Sequence, residues 1–228
     1  MAYLVLDTET TNNIEYPIVY DCGWSILDDD LNPIAERSFV IGDIFFGDKE
    51  LMAQAFFAEK IPQYLEDLRN GTRQLKSFYS VRELLHRDCA DYNIKAIIAH
   101  NAPFDYRALS TTQRWLTKSK YRWFWPFGVE IWDTLVMSRE LFGKDEKYLD
   151  FCRTNDFMCK NGKTPRLTAE ILYRFFTNDI NFVEEHCGLE DTRIEREIFK
   201  ICMNLNPNVR KSPWKEGAFL RPGDKLKK

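Results

Sequence analysis

The sequence lacks the features that mark membrane proteins and structural zinc proteins. It has no apolar run of roughly 18 residues, the length that indicates a transmembrane helix. Its first residues show neither a basic start nor a small-residue cleavage site. The six cysteines form no C-x-x-C pair, and only three histidines are available to complete a zinc site. The sequence therefore predicts a soluble, cytoplasmic protein with reduced thiols and no membrane partner.

A strong excess of one charge is also missing. The 32 basic and 35 acidic residues give a net charge of −3, which excludes a protein that coats nucleic acid through a strongly basic surface. Residues 210–228 nevertheless carry a net charge of +5, which leaves −8 on the remainder. We predict one domain over residues 1–205 and a basic C-terminal tail over residues 206–228, extended or disordered in part. A solvated terminus and a nucleic-acid-binding arm are both open interpretations of this tail.

The distribution of apolar residues predicts an α/β domain. Segments at residues 3–7, 16–27 and 34–41 are typical of strands, and a hairpin loop between the last two indicates an antiparallel meander. Strands and helices alternate beyond it, which predicts a mixed five-stranded sheet flanked by helices. The other predicted strands are residues 94–101 and 128–133, and the predicted helices are two segments within 50–92, then 102–117, 134–142, 168–177, 179–185 and 189–204.

Two acidic residues stand at the end of the first predicted strand, in "LDTET". Side chains alternate along a strand, so Asp7 and Glu9 point to the same face. Two like charges side by side repel each other unless a cation lies beside them, and carboxylate oxygens suit a divalent ion. An isolated Asp-x-Glu pair is also common in a solvated turn, so the rest of the chain must decide between these interpretations.

Further acidic residues follow two other core elements. Asp105, in "HNAPFD", lies near the start of a helix for which Asn101 is the predicted N-cap. In "HCGLED", Gly188 is predicted to begin a helix, with His186 in the preceding loop and Asp191 in the first turn. Four carboxylates that converge from separate elements need cations, and a nearby histidine indicates proton transfer.

Taken together, "DTETT", "HNAPFD" and "HCGLED" resemble, in order and local context, the three motifs of the DEDDh family of 3′-to-5′ exonucleases. That family includes the proofreading subunit of bacterial replicases, ribonuclease T and oligoribonuclease. The chain departs from the family pattern at Asn12, where glycine is usual, although asparagine also tolerates a left-handed backbone. Residues 42–93 form a longer and more helical insertion than in the shortest members.

The resemblance implies a ribonuclease-H-like fold and two Mg²⁺ or Mn²⁺ ions. By the family pattern, Asp7, Glu9 and Asp191 hold one ion, and Asp7 holds the other together with Asp105 through water. The ions would activate a water and stabilise the leaving 3′-oxygen. His186 would accept the proton of that water.

Three residues near these motifs are candidates for contact with the terminal nucleotide. Thr10 offers its hydroxyl or its backbone, whereas Thr8 points away from the carboxylates and is expected to pack. Asn101, with His100, is expected mainly to orient the turn before the second motif. Phe104 faces the same side as the second-motif carboxylate and is the candidate for stacking on a base.

The leading hypothesis is a metal-dependent 3′-to-5′ exonuclease that acts on single-stranded DNA in replication, proofreading or repair, with a polymerase or another replication protein as a partner. An exoribonuclease that trims RNA or short oligoribonucleotides is the first alternative, because no motif here reveals how a 2′-hydroxyl would be read. The second alternative is a non-catalytic, polymerase-associated scaffold. The presence of all four carboxylates and the histidine argues against it.

Overall fold

A computed structural model describes residues 1–118 and 123–214 of the chain. Residues 215–228, which form most of the predicted basic tail, lie outside the described residues. The described part contains one six-stranded sheet with the strand order β4-β3-β2-β1-β5-β6. Its strands are β1 (Ala2–Thr11), β2 (Ile18–Leu27), β3 (Pro33–Ile41), β4 (Gln74–Lys76), β5 (Ile94–Ala99) and β6 (Glu130–Asp133).

The sheet is mixed, as predicted. β1, β2 and β3 form the predicted antiparallel meander, whereas β1 pairs with β5, β5 with β6 and β3 with β4 in parallel. The prediction of five strands is wrong by one. β4 has only three residues, two of them exposed, and so short an edge strand produces no apolar alternation from which to predict it.

Nine helices flank the sheet in the described ranges. They are α1 (Gly42–Phe45), α2 (Lys49–Met52), α3 (Ile61–Asn70), α4 (Phe78–Asp91), α5 (Pro103–Leu116), α6 (Thr134–Phe142), α7 (Glu146–Thr154), α8 (Ala169–Thr177) and α9 (Gly188–Leu205), and a 3₁₀ turn at Ala58–Lys60 precedes α3. None of them is both long enough and apolar enough to cross a membrane.

The predicted helices at 134–142, 168–177 and 189–204 are confirmed to within one residue at each end. The helix predicted at 179–185 is wrong. Asn178 ends α8 in the left-handed conformation, with φ of 56°. The Phe182 carbonyl accepts a hydrogen bond from the Arg174 side chain at 2.7 Å, so the loop is held by a side chain and not by helical amides.

Two apolar cores lie on opposite faces of the sheet. Alternation along β1 places Leu4 and Leu6 in the core that α4 and α5 cover. Val5 lies in the other core, which α6, α7, α8 and α9 cover. Asp7 follows Val5 on this second face, so β1 carries its carboxylates toward α9.

The segment that follows α9 packs against β6 before the described residues end. Val209 is buried, and the Lys211 carbonyl accepts a hydrogen bond from the Asp133 amide at 2.8 Å. The Lys211 ammonium lies 5.3 Å from the centre of the Trp132 ring. The part of the predicted tail that the structure describes thus lies along the domain.

Candidate active site

Asp7 and Glu9 lie at the floor of a cleft of about 800 Å³. β1 continues through both residues, which pair with Gly23 and Asp21 of β2. The ladder shifts register directly after Glu9, and such an irregularity is a common way to aim a side chain near the end of a strand. Asp7 is partly exposed and Glu9 is buried.

Asp105 lies in the first turn of α5, next to the floor of this cleft. The Thr8 hydroxyl donates a hydrogen bond to Asp105 Oδ1 at 2.7 Å. Thr8 is buried, as expected for a packing residue, and it also joins the first motif to the second. This bond was not predicted, because it connects residues far apart in the sequence.

The prediction that Asn101 caps α5 is wrong. The N-cap is Ala102, which has no side-chain capping bond, and Asn101 takes a left-handed backbone with φ of 66°. Asn101 instead donates its backbone N–H to Asp133 Oδ1 at 3.0 Å. Both ring nitrogens of the neighbouring His100 are used, by Thr134 Oγ1 at 2.9 Å and the Leu167 carbonyl at 2.7 Å.

The third motif is positioned by a close approach of α9 to β2. A Cβ atom at Gly23 would lie 2.4 Å from the Leu189 nitrogen, so the two backbones touch. The Gly188 N–H donates to Asp21 Oδ2 at 2.9 Å, and α9 begins at Gly188, as predicted. Asp191 in the first turn is 5% exposed, and its Oδ1 is buried with no hydrogen-bond partner in the described part of the chain.

His186 lies in the loop before α9 and faces the carboxylates. One of its ring nitrogens and carboxylate oxygens of Glu9 and Asp191 all lie within 4.8 Å of one another. The ring stacks on Phe57, with centroids 3.9 Å apart and planes at 8°. Phe57 comes from the insertion between the first two motifs, and no local pattern near His186 indicates it.

Two acidic residues of the cleft were missed in the sequence. Glu195 lies one helical turn after Asp191, is 4% exposed, and accepts a hydrogen bond from the His100 amide at 3.0 Å. Glu184 lies in the loop before α9 and also lines the cleft. The i, i+4 spacing from Asp191 is the signal that indicates Glu195, whereas the loop around Glu184 offers none.

Burial and mutual repulsion raise the pKa values of these carboxyl groups. Burial, followed by the charge of Glu195, raises the pKa of Asp7 well above its usual value. Burial also raises the pKa of Asp105 to about 7 and that of Asp191 to about 8. Burial and the nearby Asp191 charge raise the pKa of Glu9. These groups cannot all be ionised together without a compensating positive charge.

The donor set fits a divalent cation with a preference for oxygen ligands. Carboxylate oxygens are the ligands that Mg²⁺ and Mn²⁺ prefer, and Asp191 Oδ1 is a buried acceptor without a hydrogen-bond partner among the described residues. The imidazole of His186 is close enough to join the set or to act beside it.

The predicted substrate-contact residues also come together. Thr10, Asn101 and Phe104 line a neighbouring groove of about 330 Å³. The groove shares Glu9 and Asn101 with the cleft and is flanked by Phe56, whose side chain is 63% exposed. An apolar groove lined by one exposed and two half-buried aromatic rings next to a carboxylate cluster is suited to a planar base.

No protein-family model matches the chain, and no curated protein matches it by sequence. Solved structures match it by fold. An exonuclease I from Methylocaldum szegediense has a TM-score of 0.52 at 18% identity over 91% of this chain. E. coli exonuclease I in complex with a 5cy-dT13 oligonucleotide has a TM-score of 0.59 at 13% identity over 91%. A 3′-exonuclease that recognises the 3′ end of a histone mRNA stem-loop has a TM-score of 0.57 at 10% identity over 92% of this chain.

This chain spans 41% and 42% of the two exonuclease I chains and 66% of the histone mRNA exonuclease. Identities this low establish the fold alone. The predicted α/β class and ribonuclease-H-like fold are confirmed, with a mixed six-stranded sheet flanked by helices.

Proposed function

We propose that this chain is a metal-dependent 3′-to-5′ exonuclease of the DEDDh family. It would hydrolyse phosphodiester bonds at the 3′ end of single-stranded DNA. The observation that carries the proposal is the convergence of three separate sequence motifs on one cleft, where His186 lies within 4.8 Å of Glu9 and Asp191. Residues 1–205 would form the catalytic domain and residues 206–228 a basic appendage.

Four carboxylates would hold the metal ions. Asp7, Glu9 and Asp191 would bind one Mg²⁺ or Mn²⁺, and Asp7 and Asp105 the second. When bound, such a pair of ions lowers the pKa of a water and stabilises the leaving oxygen. The Thr8 hydroxyl fixes one oxygen of Asp105 at 2.7 Å and so holds this carboxylate in place.

His186 would be the general base. Burial lowers its pKa below the usual value, so the imidazole is neutral at physiological pH and can accept a proton. Its stacking on Phe57 fixes the plane of the ring. The groove that contains Thr10, Asn101 and Phe104 would hold the terminal nucleoside, with a base against the aromatic rings.

RNA is the second candidate substrate. One structural neighbour recognises the 3′ end of a histone mRNA stem-loop, whereas the E. coli neighbour is in complex with a dT13 oligonucleotide. The proposal names DNA first and a replication or repair context, in which a polymerase or replication protein would be the partner. A catalytically silent scaffold is the outcome if no substrate is cleaved.

The test is cleavage of 5′-labelled single-stranded DNA, duplex DNA and RNA, with Mg²⁺, with Mn²⁺ and with EDTA. We expect a ladder of 3′-shortened DNA products that requires metal and that Asp7→Asn reduces to the EDTA background. Asp150→Asn is the matched control, because that carboxylate is 82% exposed on α7, and it should leave the ladder unchanged. Full degradation in EDTA would contradict the metal assignment, and products only from RNA would establish the second candidate.

A further inference from the structure

Three cationic side chains, which we call the basic wall, line the same cleft as the carboxylates. Arg139 lies in the last turn of α6, Lys144 lies between α6 and α7, and Arg166 lies in the loop before α8. All three side chains are exposed and line the same cleft as Asp7 and Asp191. One cleft therefore presents an acidic floor and a basic wall, and the proposed function uses only the floor.

The basic wall is not used in ion pairing. Among the described residues, none of Arg139, Lys144 and Arg166 forms an ion pair with a carboxylate. Arginines elsewhere behave differently: Arg193 and Arg196 both pair with Glu36, at 2.6 and 2.9 Å. The charges of the wall are therefore available to a bound anion.

The backbone behind Arg166 is held firmly in place. The Arg166 N–H donates to the Phe157 carbonyl at 2.9 Å, and its own carbonyl accepts from the Tyr148 hydroxyl at 2.6 Å. The next carbonyl, that of Leu167, contacts the His100 ring at 2.7 Å. This loop therefore presents a guanidinium to the cleft from a fixed backbone, and a guanidinium matches phosphate geometry.

The cleft has room for more than the scissile phosphate and the terminal nucleoside. The terminal nucleoside would occupy the neighbouring groove of about 330 Å³, and the scissile phosphate would lie at the carboxylates. The cleft of about 800 Å³ extends from there to the basic wall. A strand that continues from the scissile bond crosses this wall with its next phosphates.

On the basis of the proposed function, we infer that Arg139, Lys144 and Arg166 form a binding site for the backbone phosphates that precede the scissile bond. The substrate class is then a single strand of several nucleotides and not a dinucleotide. Phosphate contacts carry no base information, so the wall would serve any sequence, and DNA and RNA alike.

The test compares two triple variants that lose the same net charge. The cleft variant is Arg139→Gln, Lys144→Gln and Arg166→Gln. The control variant is Lys49→Gln, Arg87→Gln and Lys147→Gln, which are exposed and do not line the cleft. Binding of 5′-labelled dT12 is measured by fluorescence anisotropy in EDTA over a range of salt concentrations. Hydrolysis of the p-nitrophenyl ester of thymidine 5′-monophosphate, which has no upstream phosphate, is measured with Mn²⁺.

For the cleft variant we expect at least tenfold weaker binding of dT12 at low salt. We also expect the slope of log affinity against log salt to fall by about 2, because each lost phosphate contact on a single strand contributes about 0.7. Hydrolysis of the small ester should fall far less than dT12 binding in the cleft variant, because the ester has no upstream phosphate, and the control variant should match the parent in both measurements.

The outcomes separate this inference from the proposed function. If both variants bind dT12 with the affinity and salt dependence of the parent, the basic wall is not a phosphate site, whatever the ester shows. If the parent hydrolyses neither the ester nor DNA while the cleft variant alone loses dT12 binding, the exonuclease proposal fails and the phosphate site stands.

Discussion

His186 is held in an unfavourable backbone conformation by an aromatic neighbour. Its φ is 51°, and a left-handed backbone costs a residue other than glycine roughly 1–2 kcal/mol. The stack on Phe57 at 3.9 Å is a contact that offsets part of this cost. The loop thus directs the ring toward Glu9 and Asp191 instead of toward solvent.

Replacing His186 with alanine should separate proton transfer from metal binding. A general base contributes about 10²- to 10⁴-fold to the rate, so His186→Ala should slow cleavage by that factor while metal still raises the melting temperature. Asp191→Ala should lose the metal effect as well. Single-turnover cleavage and thermal melts measure the two properties.

The pH profile gives a further check of the same variant. Burial lowers the pKa of His186, so the parent rate should rise with pH and level off below the usual histidine pKa, and this step should be missing in His186→Ala. His86→Ala is the control, because that ring lies on α4 against the Phe124 carbonyl. If His186→Ala retains the rate within about threefold, far below the range for a general base, the assignment is wrong.

At the residue scale, the site residues that lie within a sequence motif could be predicted. Asp7, Glu9, His186 and Asp191 could be placed together because the three motifs occur in the order of the family that they resemble, and these four residues do line one cleft. Phe57 could not be found, since a stacking partner from a distant insertion leaves no trace in the spacing around the histidine.

Among the secondary-structure elements, the packing of α9 against β2 determines where Asp191 lies in the site. Arg73, whose side chain is 3% exposed, lies between Asp21 at 3.2 Å and Glu190 at 2.7 Å. The same Asp21 carboxylate accepts the Gly188 amide. Because a buried ion pair is costly to break, this network anchors the first turn of α9, and with it Asp191, to the sheet.

A methyl group between these two elements should therefore damage both stability and metal binding. In Gly23→Ala the new Cβ would lie 2.4 Å from the Leu189 nitrogen, so α9 must move away from β2. Overpacking of this kind costs about 1–3 kcal/mol, and the displaced Asp191 should weaken the stabilisation by Mn²⁺. Urea unfolding with and without Mn²⁺ measures both effects.

Gly42→Ala is the matched control for this substitution. Its Cβ would lie 3.3 Å from the Leu75 side chain and 3.6 Å from the Lys76 carbonyl oxygen, neither of which belongs to α9, and it should leave the stabilisation by Mn²⁺ unchanged. If Gly23→Ala has the same free energy of unfolding as the parent and the same stabilisation by Mn²⁺, the position of α9 does not depend on this contact.

Elements were predictable in proportion to their apolar periodicity. The meander and α9 have many buried positions, and both are found, although β1 continues four residues beyond its predicted end at Asp7. α7 was missed although Asp145 caps it through the Tyr148 amide at 2.9 Å. Four of its nine residues are charged and obscure the apolar spacing, whereas α8, of the same length, has two. The helix predicted at residues 179–185 is a loop, since the composition of this segment does not reveal that the Arg174 side chain holds it.

The sheet separates two apolar cores. The first is apolar throughout, whereas the second borders a cluster of buried carboxyl groups. The first core joins Leu4, Leu6 and the helices α4 and α5. The second meets Asp7, Asp191 and Glu195 at one end, and burial raises the pKa of each. Folding without metal therefore confines like charges in a region where they are poorly solvated.

The stability of the metal-free protein should consequently fall as pH rises. Asp105 and Asp191 have folded pKa values of about 7 and about 8, above the value of about 3.9 for an unfolded aspartate. The folded state then binds more protons than the unfolded state, so its stability is highest at low pH and is lost as pH rises through these folded values. Metal ions bind the ionised carboxylates and therefore offset this loss of stability. A metal ion at 100 times its Kd stabilises the folded state by about 2.7 kcal/mol.

Melting temperatures from pH 5 to pH 9, in EDTA and in Mn²⁺, measure this coupling. We expect the difference between the two curves to be small at pH 5 and to widen to its maximum above pH 8. Glu195→Gln should raise the EDTA curve at pH 8, because it removes the charge that acts most strongly on Asp7. Asp150→Asn, at an exposed carboxylate, should change neither curve. Coincident curves across the whole range would mean that no metal joins the buried carboxylates, and a constant offset would mean that metal binding does not depend on their ionisation.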